Sequence, residues 1–198
     1  MVVHDSFLET LRASGALKVG HFVLSSGRHS DQYIEKFDLL RQPGATSEVC
    51  RIISDRFLHH EIDVVVGPTT GGVILAFEVG RQLGVAAAYA ERSTNGEPAR
   101  EFRRGTTFRS GSRVLVVDDI LTTGGSLRET LDALAPHPVD VAGAAVLVDR
   151  SGGIVDLSVP YVALATMEIE TWDESECPIC ERGEPVVKPG TTPGAPSG

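Results

Sequence analysis

The sequence predicts an α/β fold with a central, mainly parallel sheet flanked by helices. Three observations predict it. From about residue 62 to 165, apolar strand-like runs alternate with amphipathic helical segments, the rhythm of crossover units. The runs themselves, such as Ile62–Val66 and Val139–Val148, are apolar apart from one aspartate near the start of each, as expected of strands covered on both faces. Three Gly-rich polar loops, 67–72, 118–126 and 149–153, fall at the carboxyl ends of strands, where open sheets of this class bind ligands.

The elements follow in order. Asp5 or Ser6 is placed to cap a first helix, with Phe7, Leu8 and Leu11 on one face and Gly15 near its end. Phe22-Val23-Leu24 and Gln32-Tyr33-Ile34-Glu35 read as short strands around the turn Ser25–Arg28. After Pro43, Val49, Ile52, Ile53 and Phe57 recur at helical spacing. The alternation then begins: strand Ile62–Val66, helix Gly71–Leu83, strand Val85–Ala90, strand Arg113–Val117, helix Leu127–Ala135, strand Val139–Val148 and a last strand Tyr161–Ala165. Residues 91–112 are too polar for a core element and are expected to form a long mobile loop or hairpin. The segment from Gly183 to Gly198 holds four Gly and four Pro, so its last part is expected to be disordered.

Composition narrows the function. The 198 residues carry a net charge of −9, which argues against a general nucleic-acid binder but leaves room for a small phosphorylated ligand held by local arginines and amides. No apolar run approaches the ~20 residues of a membrane span, and the start MVVHDSFLETLRASGAL lacks the pattern of a signal peptide. Three cysteines make no disulfide framework, so a reducing cytoplasm is the expected compartment.

The strongest chemical signal is Val114-Leu-Val-Val-Asp-Asp-Ile-Leu-Thr-Thr-Gly-Gly-Ser126. A buried strand delivers the adjacent carboxylates Asp118 and Asp119. Ile120 and Leu121 follow, and Thr122, Thr123, Gly124, Gly125 and Ser126 lead into a helix. Glycines permit a close backbone approach, and hydroxyls, amides and the positive helix end then converge as a phosphate cradle. Paired acids beside it suit the vicinal hydroxyls of a ribose. The combination fits a ribose 5-phosphate. It is neither a Walker loop nor a G-x-G-x-x-G dinucleotide turn.

This segment resembles the signature of the type I phosphoribosyltransferases. Gly20–Ser30 with Tyr33, Leu147–Gly153, and Cys177-Pro-Ile-Cys180 followed by Val187–Gly190 are similar to flanking motifs of the members that act on orotate. The resemblance runs from about residue 5 to 190. It implies the type I phosphoribosyltransferase fold with a small N-terminal hood: residues 1–40 as hood and base-binding segment, 41–170 as the core with mobile loop 91–112, and 171–198 as a C-terminal segment. It implies transfer of the 5-phosphoribosyl group from 5-phosphoribosyl 1-diphosphate to orotate in pyrimidine biosynthesis. Mg2+ would travel with the diphosphate, no residue is assigned as its direct ligand, and the assembly would be a homodimer.

By motif match, the resemblance gives Asp118 and Asp119 the ribose hydroxyls and the cationic transition state. Thr122–Ser126 take the 5-phosphate, with Thr122 also near orotate, and Ile120 and Leu121 count among the ribose 5-phosphate and pyrophosphate contacts. Arg150, Tyr33 and Ile34 take orotate. Pro68–Gly72, with Thr70 and Gly71, is the pyrophosphate loop. Here the chain departs from the pattern: well-known members carry a Lys where Gly71 aligns, and some carry one at Ser25. The loop lysines of many members are also missing, so Arg92 and Arg104, among Arg92, Arg100, Arg103 and Arg104, are expected to serve as the catalytic lid. Two other readings remain: the same chemistry on a purine, and a non-catalytic regulator that binds the diphosphate. Cys177-x-x-Cys180 has the spacing of half a zinc site, but no two histidines stand at ligand spacing. It is read as structural packing, with zinc or redox chemistry as the alternative.

Overall fold

A computed structural model describes residues 2–24, 26–94 and 99–189. Ser25, residues 95–98 of the expected loop and the end of the Gly/Pro-rich tail lie outside the described residues, so the expectations placed on them lie there too.

Helix α1 (Val2–Ala13) leads into the antiparallel hairpin β1 (Leu17–Val23) and β2 (His29–Ile34). Helices α2 (Lys36–Leu40) and α3 (Pro43–Phe57) follow. The main sheet holds β3 (Val64–Pro68), β4 (Ala86–Arg92), β5 (Arg100–Glu101), β6 (Ser112–Leu121), β7 (Val139–Asp149) and β8 (Tyr161–Thr166). Its order is β5-β4-β3-β6-β7-β8, and every pair is parallel except β4–β5. Helix α4 (Gly71–Leu83) joins β3 to β4, and α5 (Gly125–Leu134) joins β6 to β7. A 3-10 turn, Glu174–Glu176, and the short helix α6 (Pro178–Glu181) close the described chain.

The apolar strands bury both faces, as their composition requires. Val65, Leu115 and Val117 pack with α1, α3 and α4, while Val66, Val114 and Val116 pack with Leu127 and Leu134 of α5 on the other face. Chain order reverses direction across the sheet between β3 and β6. Loops 68–72 and 121–126 therefore leave adjacent strands at a topological switch point, side by side.

Several expectations are corrected. The backbone is helical from Val2, so Asp5 and Ser6 lie inside α1 and not at a cap, which needs a non-helical backbone. Glu35 is not strand; it is the N-cap of the five-residue α2, accepting from Phe37 N at 3.2 Å. That helix is too short to show a period in sequence. Strand β6 does not stop at the aspartates but runs on to Leu121, because β7 continues to pair with it at Ile120 and Leu121. Of the loop or hairpin expected over residues 91–112, the hairpin is found: Arg92 pairs with Arg100, and Phe102 and Phe108 pack edge-on with His137, more anchorage than the polarity of the segment suggests. The Gly/Pro-rich segment begins in register with the hood: Val187 N donates to His21 O at 2.8 Å and Val23 N to Val187 O at 2.9 Å. No helix among the described residues is long and apolar enough to cross a membrane.

Candidate functional site

The switch point opens into a cavity of about 600 Å3, floored by the end of β6 and roofed by the hood. Asp118 and Asp119 are 5% and 3% exposed. A strand sends successive side chains to opposite faces, so one carboxylate would ordinarily be lost to the core. Both line this cavity, and each is fixed by different partners. Ser126 Oγ donates to Asp118 Oδ2 at 2.6 Å, tying the acid to the first turn of α5, and Asp119 N donates to Asp118 Oδ1 at 2.8 Å. Ile120 N donates to Asp119 Oδ1 at 2.8 Å. Burial, together with the Asp119 charge, pushes the Asp118 carboxyl up to about 6.

Sequence reasoning passed over Lys36. Its ammonium lies 2.9 Å from Asp119 Oδ1 and 2.8 Å from Oδ2. Helix α2, which follows the hood hairpin, carries this cation across to the sheet, a contact between residues 83 positions apart that no local pattern encodes. Gly71 is held to glycine by the same carboxylate, since a Cβ there would fall 1.8 Å from Asp119 Oδ2.

The 122–126 loop enters α5 through Gly124, which is left-handed at φ 80°. Helix α5 has no side-chain cap, so its first amides face the loop as donors. Thr122 and Ser126 line the cavity. Leu121 does not serve as a contact through its side chain, which is buried in the core because β6 extends through it. Thr123 is exposed and accepts from Arg128 through its carbonyl.

On the side of the Pro68–Gly72 loop, Thr69 and Thr70 reach the cavity, and the peptide between them is cis. Arg92 lines it as well. Arg104 does not; it turns outward to Glu91 at 3.2 Å, and its side chain is 71% exposed. Its left-handed backbone, φ 56°, turns the chain there. The arginine that stands in its place is Arg100. Its side chain is 3% exposed, ion-paired to Glu129 of α5 at 3.2 Å, and it donates to Thr69 O, Thr69 Oγ1 and Ala90 O at 3.2–3.3 Å. Arg100 is thus a fixed cation of the wall, not part of a free lid.

On the side of the hood, Tyr33, Ile34 and Arg150 line the cavity. Arg150 N donates to Leu121 O at 2.8 Å, and the preceding Asp149 holds the turn by accepting from Ser151 N, Ser151 Oγ and Tyr161 OH at 2.6–2.9 Å. The Arg150 Nε is buried and has no hydrogen-bond partner among the described residues. A buried, unpartnered guanidinium nitrogen is costly, and a planar anion would satisfy it.

Comparison with known proteins agrees with this geometry. A family model described as phosphoribosyl transferase domain matches residues 38–178. Among similar proteins, the orotate phosphoribosyltransferase of Caldanaerobacter subterraneus subsp. tengcongensis is 41% identical over 187 residues, covering 94% of this chain and 97% of its own. That of Pelotomaculum thermopropionicum is 44% identical over 190 residues, covering 96% and 98%. Among solved structures, orotate phosphoribosyltransferase from Aeropyrum pernix matches with a TM-score of 0.69 and 30% identity over 81% of this chain and 93% of that one. With its acid pair, phosphate loop and near-full-length likeness to these proteins, the chain belongs to the orotate phosphoribosyltransferase family.

Proposed function

We propose that the cavity takes 5-phosphoribosyl 1-diphosphate and orotate and yields orotidine 5'-phosphate and pyrophosphate, in pyrimidine nucleotide synthesis. The observation that carries this reading is one cavity lined by a buried acid pair, a phosphate cradle at a helix N-terminus and an arginine whose buried Nε lacks a partner among the described residues. The 5-phosphate lies at Thr122–Ser126 against the α5 amides. Asp118 and Asp119 accept from the ribose hydroxyls. Arg150, with Tyr33 and Ile34, holds the anionic pyrimidine. Thr70, Arg92 and Arg100 hold the pyrophosphate.

A ring nitrogen of orotate attacks the anomeric carbon and releases its proton to solvent, and the bond to pyrophosphate breaks. Positive charge develops on the sugar, where the adjacent carboxylates stabilise it more strongly than in the ground state. Arginines stay protonated at any working pH, so Arg92 and Arg100 neutralise the departing anion and do not supply a proton. Lys36, held on Asp119, adds a cation beside the acid pair and tempers its mutual repulsion.

The pocket fits Mg2+ arriving with the diphosphate. It offers the hard carboxylate oxygens of Asp118 and Asp119, one of which, Asp119 Oδ2, accepts no hydrogen bond among the described residues although Lys36 lies 2.8 Å away. The ion would supply charge neutralisation on the diphosphate. The working form is a cytoplasmic homodimer. The 67% exposed Phe77 on α4, in an apolar groove with Leu40, Pro43, Val73 and Ile74, supports such an assembly. The domain division into hood 1–40, core 41–170 and C-terminal segment 171–198 is supported by the separate hairpin and main sheet.

A base panel with 5-phosphoribosyl 1-diphosphate and magnesium, following pyrophosphate release, tests the reading. Orotate is expected to be consumed. Turnover of adenine or hypoxanthine without orotate would overturn the base assignment, and binding of the diphosphate with no turnover of any base would make the chain a regulator.

A further inference from the structure

Away from the cavity, four side chains that are far apart in sequence converge on one point. His21 of β1, His29 of β2, Cys177 at the N-cap of α6 and Cys180 within α6 place one ligand atom each within 4.8 Å of all the others. Both histidines and Cys177 are buried, and Cys180 is partly so. We propose that these four residues form a Cys2His2 site that binds a structural zinc ion and fastens the C-terminal segment to the hood.

The ligand chemistry is the first argument. Two thiols and two imidazoles suit a borderline divalent ion, and four protein ligands leave no open position, the mark of a structural rather than a catalytic site. The Cys-x-x-Cys half is recognisable in sequence. The histidine half is not, because seven residues separate His21 from His29 and only the hairpin brings them together.

The geometry is the second argument. Cys177 Sγ lies 3.5 Å and Cys180 Sγ 3.6 Å from His21 Nε2, and Cys180 Sγ lies 3.3 Å from His29 Nδ1. Zinc–sulfur bonds of about 2.3 Å and zinc–nitrogen bonds of about 2.0 Å at tetrahedral angles give a sulfur–nitrogen edge of roughly 3.5 Å. The two imidazole nitrogens stand 2.8 Å apart. They would separate by about half an ångström to reach a tetrahedral edge, again taking the usual zinc–nitrogen length.

The third argument is the outer partner. His21 Nδ1 lies 2.9 Å from Glu184 O, so Nδ1 carries the proton and donates it, and Nε2 turns a bare lone pair toward the thiols. A backbone carbonyl that fixes the tautomer of a ligating imidazole is the arrangement metal sites use.

The consequence reaches the cavity. The hairpin that carries both histidines also carries Tyr33 and Ile34 and ends just before Lys36. The cysteines sit between two backbone bridges that join this hairpin to the C-terminal segment, His29 with Trp172 and Phe22 with Val187. Zinc would therefore hold the hood in place from behind the base side.

The test uses the full chain, purified without a metal-binding tag from zinc-supplemented medium, desalted and analysed by elemental and native mass spectrometry. About one zinc per chain is expected, as for a closed four-ligand site. Cobalt(II) exchanged into the protein should give the visible bands of tetrahedral coordination and a thiolate charge-transfer band. Cys180→Ser, at the partly exposed ligand, should lose the zinc, whereas Cys50→Ala should keep it. Should the Cys180 variant fail to fold, the intact protein decides: a strong chelator should lower its melting temperature by several degrees, and added zinc should restore it. Substoichiometric zinc in reduced protein, a Cys177–Cys180 disulfide in its place, zinc retained in folded Cys180→Ser, or a melting temperature indifferent to chelator would overturn the proposal.

Discussion

Gly71 leaves room for the carboxylate of Asp119: a Cβ at position 71 would sit 1.8 Å from Asp119 Oδ2. The resembling enzymes that carry a lysine at that place have a cation on the pyrophosphate loop. Here the glycine vacates the space, Asp119 occupies it, and Lys36 reaches Asp119 from the hood at 2.8 Å. The positive charge enters the site from another element.

Gly71→Ala should therefore displace Asp119 without unfolding the protein. Turnover should fall about 10²-fold, the scale of an ångström-sized misplacement of a reacting group. Circular dichroism should remain native. Unchanged turnover would show that the acid is not held where catalysis needs it.

Lys36→Met removes the cation and keeps the length of the side chain. The ion pair is one-third exposed on the lysine side, so its contribution to stability is small and melting should move little. Its electrostatic role should cost turnover about 10-fold to 10²-fold. A large loss of stability with unchanged turnover would make Lys36 a structural residue.

Asp118 links stability and activity in opposite senses. Its carboxyl is raised by burial and by Asp119 to about 6 in the folded chain. A raised carboxyl favours the protonated form on folding, so this group's contribution to stability is present in full below about pH 4, its unfolded range, and is lost as pH rises through about 6. Activity, which needs the carboxylate, should fall as pH drops below about 6. Asp118→Asn should raise the stability at pH 8 by on the order of 2 kcal/mol and lower kcat by about 10²-fold or more. Thermal melts and steady-state kinetics on the same variant check both signs.

The hairpin arginines should separate by role. Arg100→Ala removes a buried cation from Glu129 and Thr69, and should destabilise the fold by on the order of 2 kcal/mol. Arg92→Ala should lower turnover without that loss. Trypsin should cut the native protein at the exposed Arg104 before the buried Arg100. Cleavage at Arg100 first would contradict the packing seen here.

The sequence by itself determined the architecture and half of the site. Apolar runs such as Val114–Val117 can be buried only between two helical layers, and Asp118–Ser126 at the end of such a run can only face the switch point. These are local properties, carried by period, by glycine and by adjacency along one segment. Tertiary structure alone decided the rest. Lys36 meets Asp119 across 83 residues, Arg100 becomes a buried wall because α5 supplies Glu129 opposite it, and His21 and His29 meet Cys177 and Cys180 only when the tail pairs with the hood. Arg104, which looked equivalent to Arg92 in sequence, was separated from it by a left-handed backbone and a partner at Glu91. Charge and ligand type are written in the residues, but which charges meet depends on chain segments that packing, and not sequence neighbourhood, brings together.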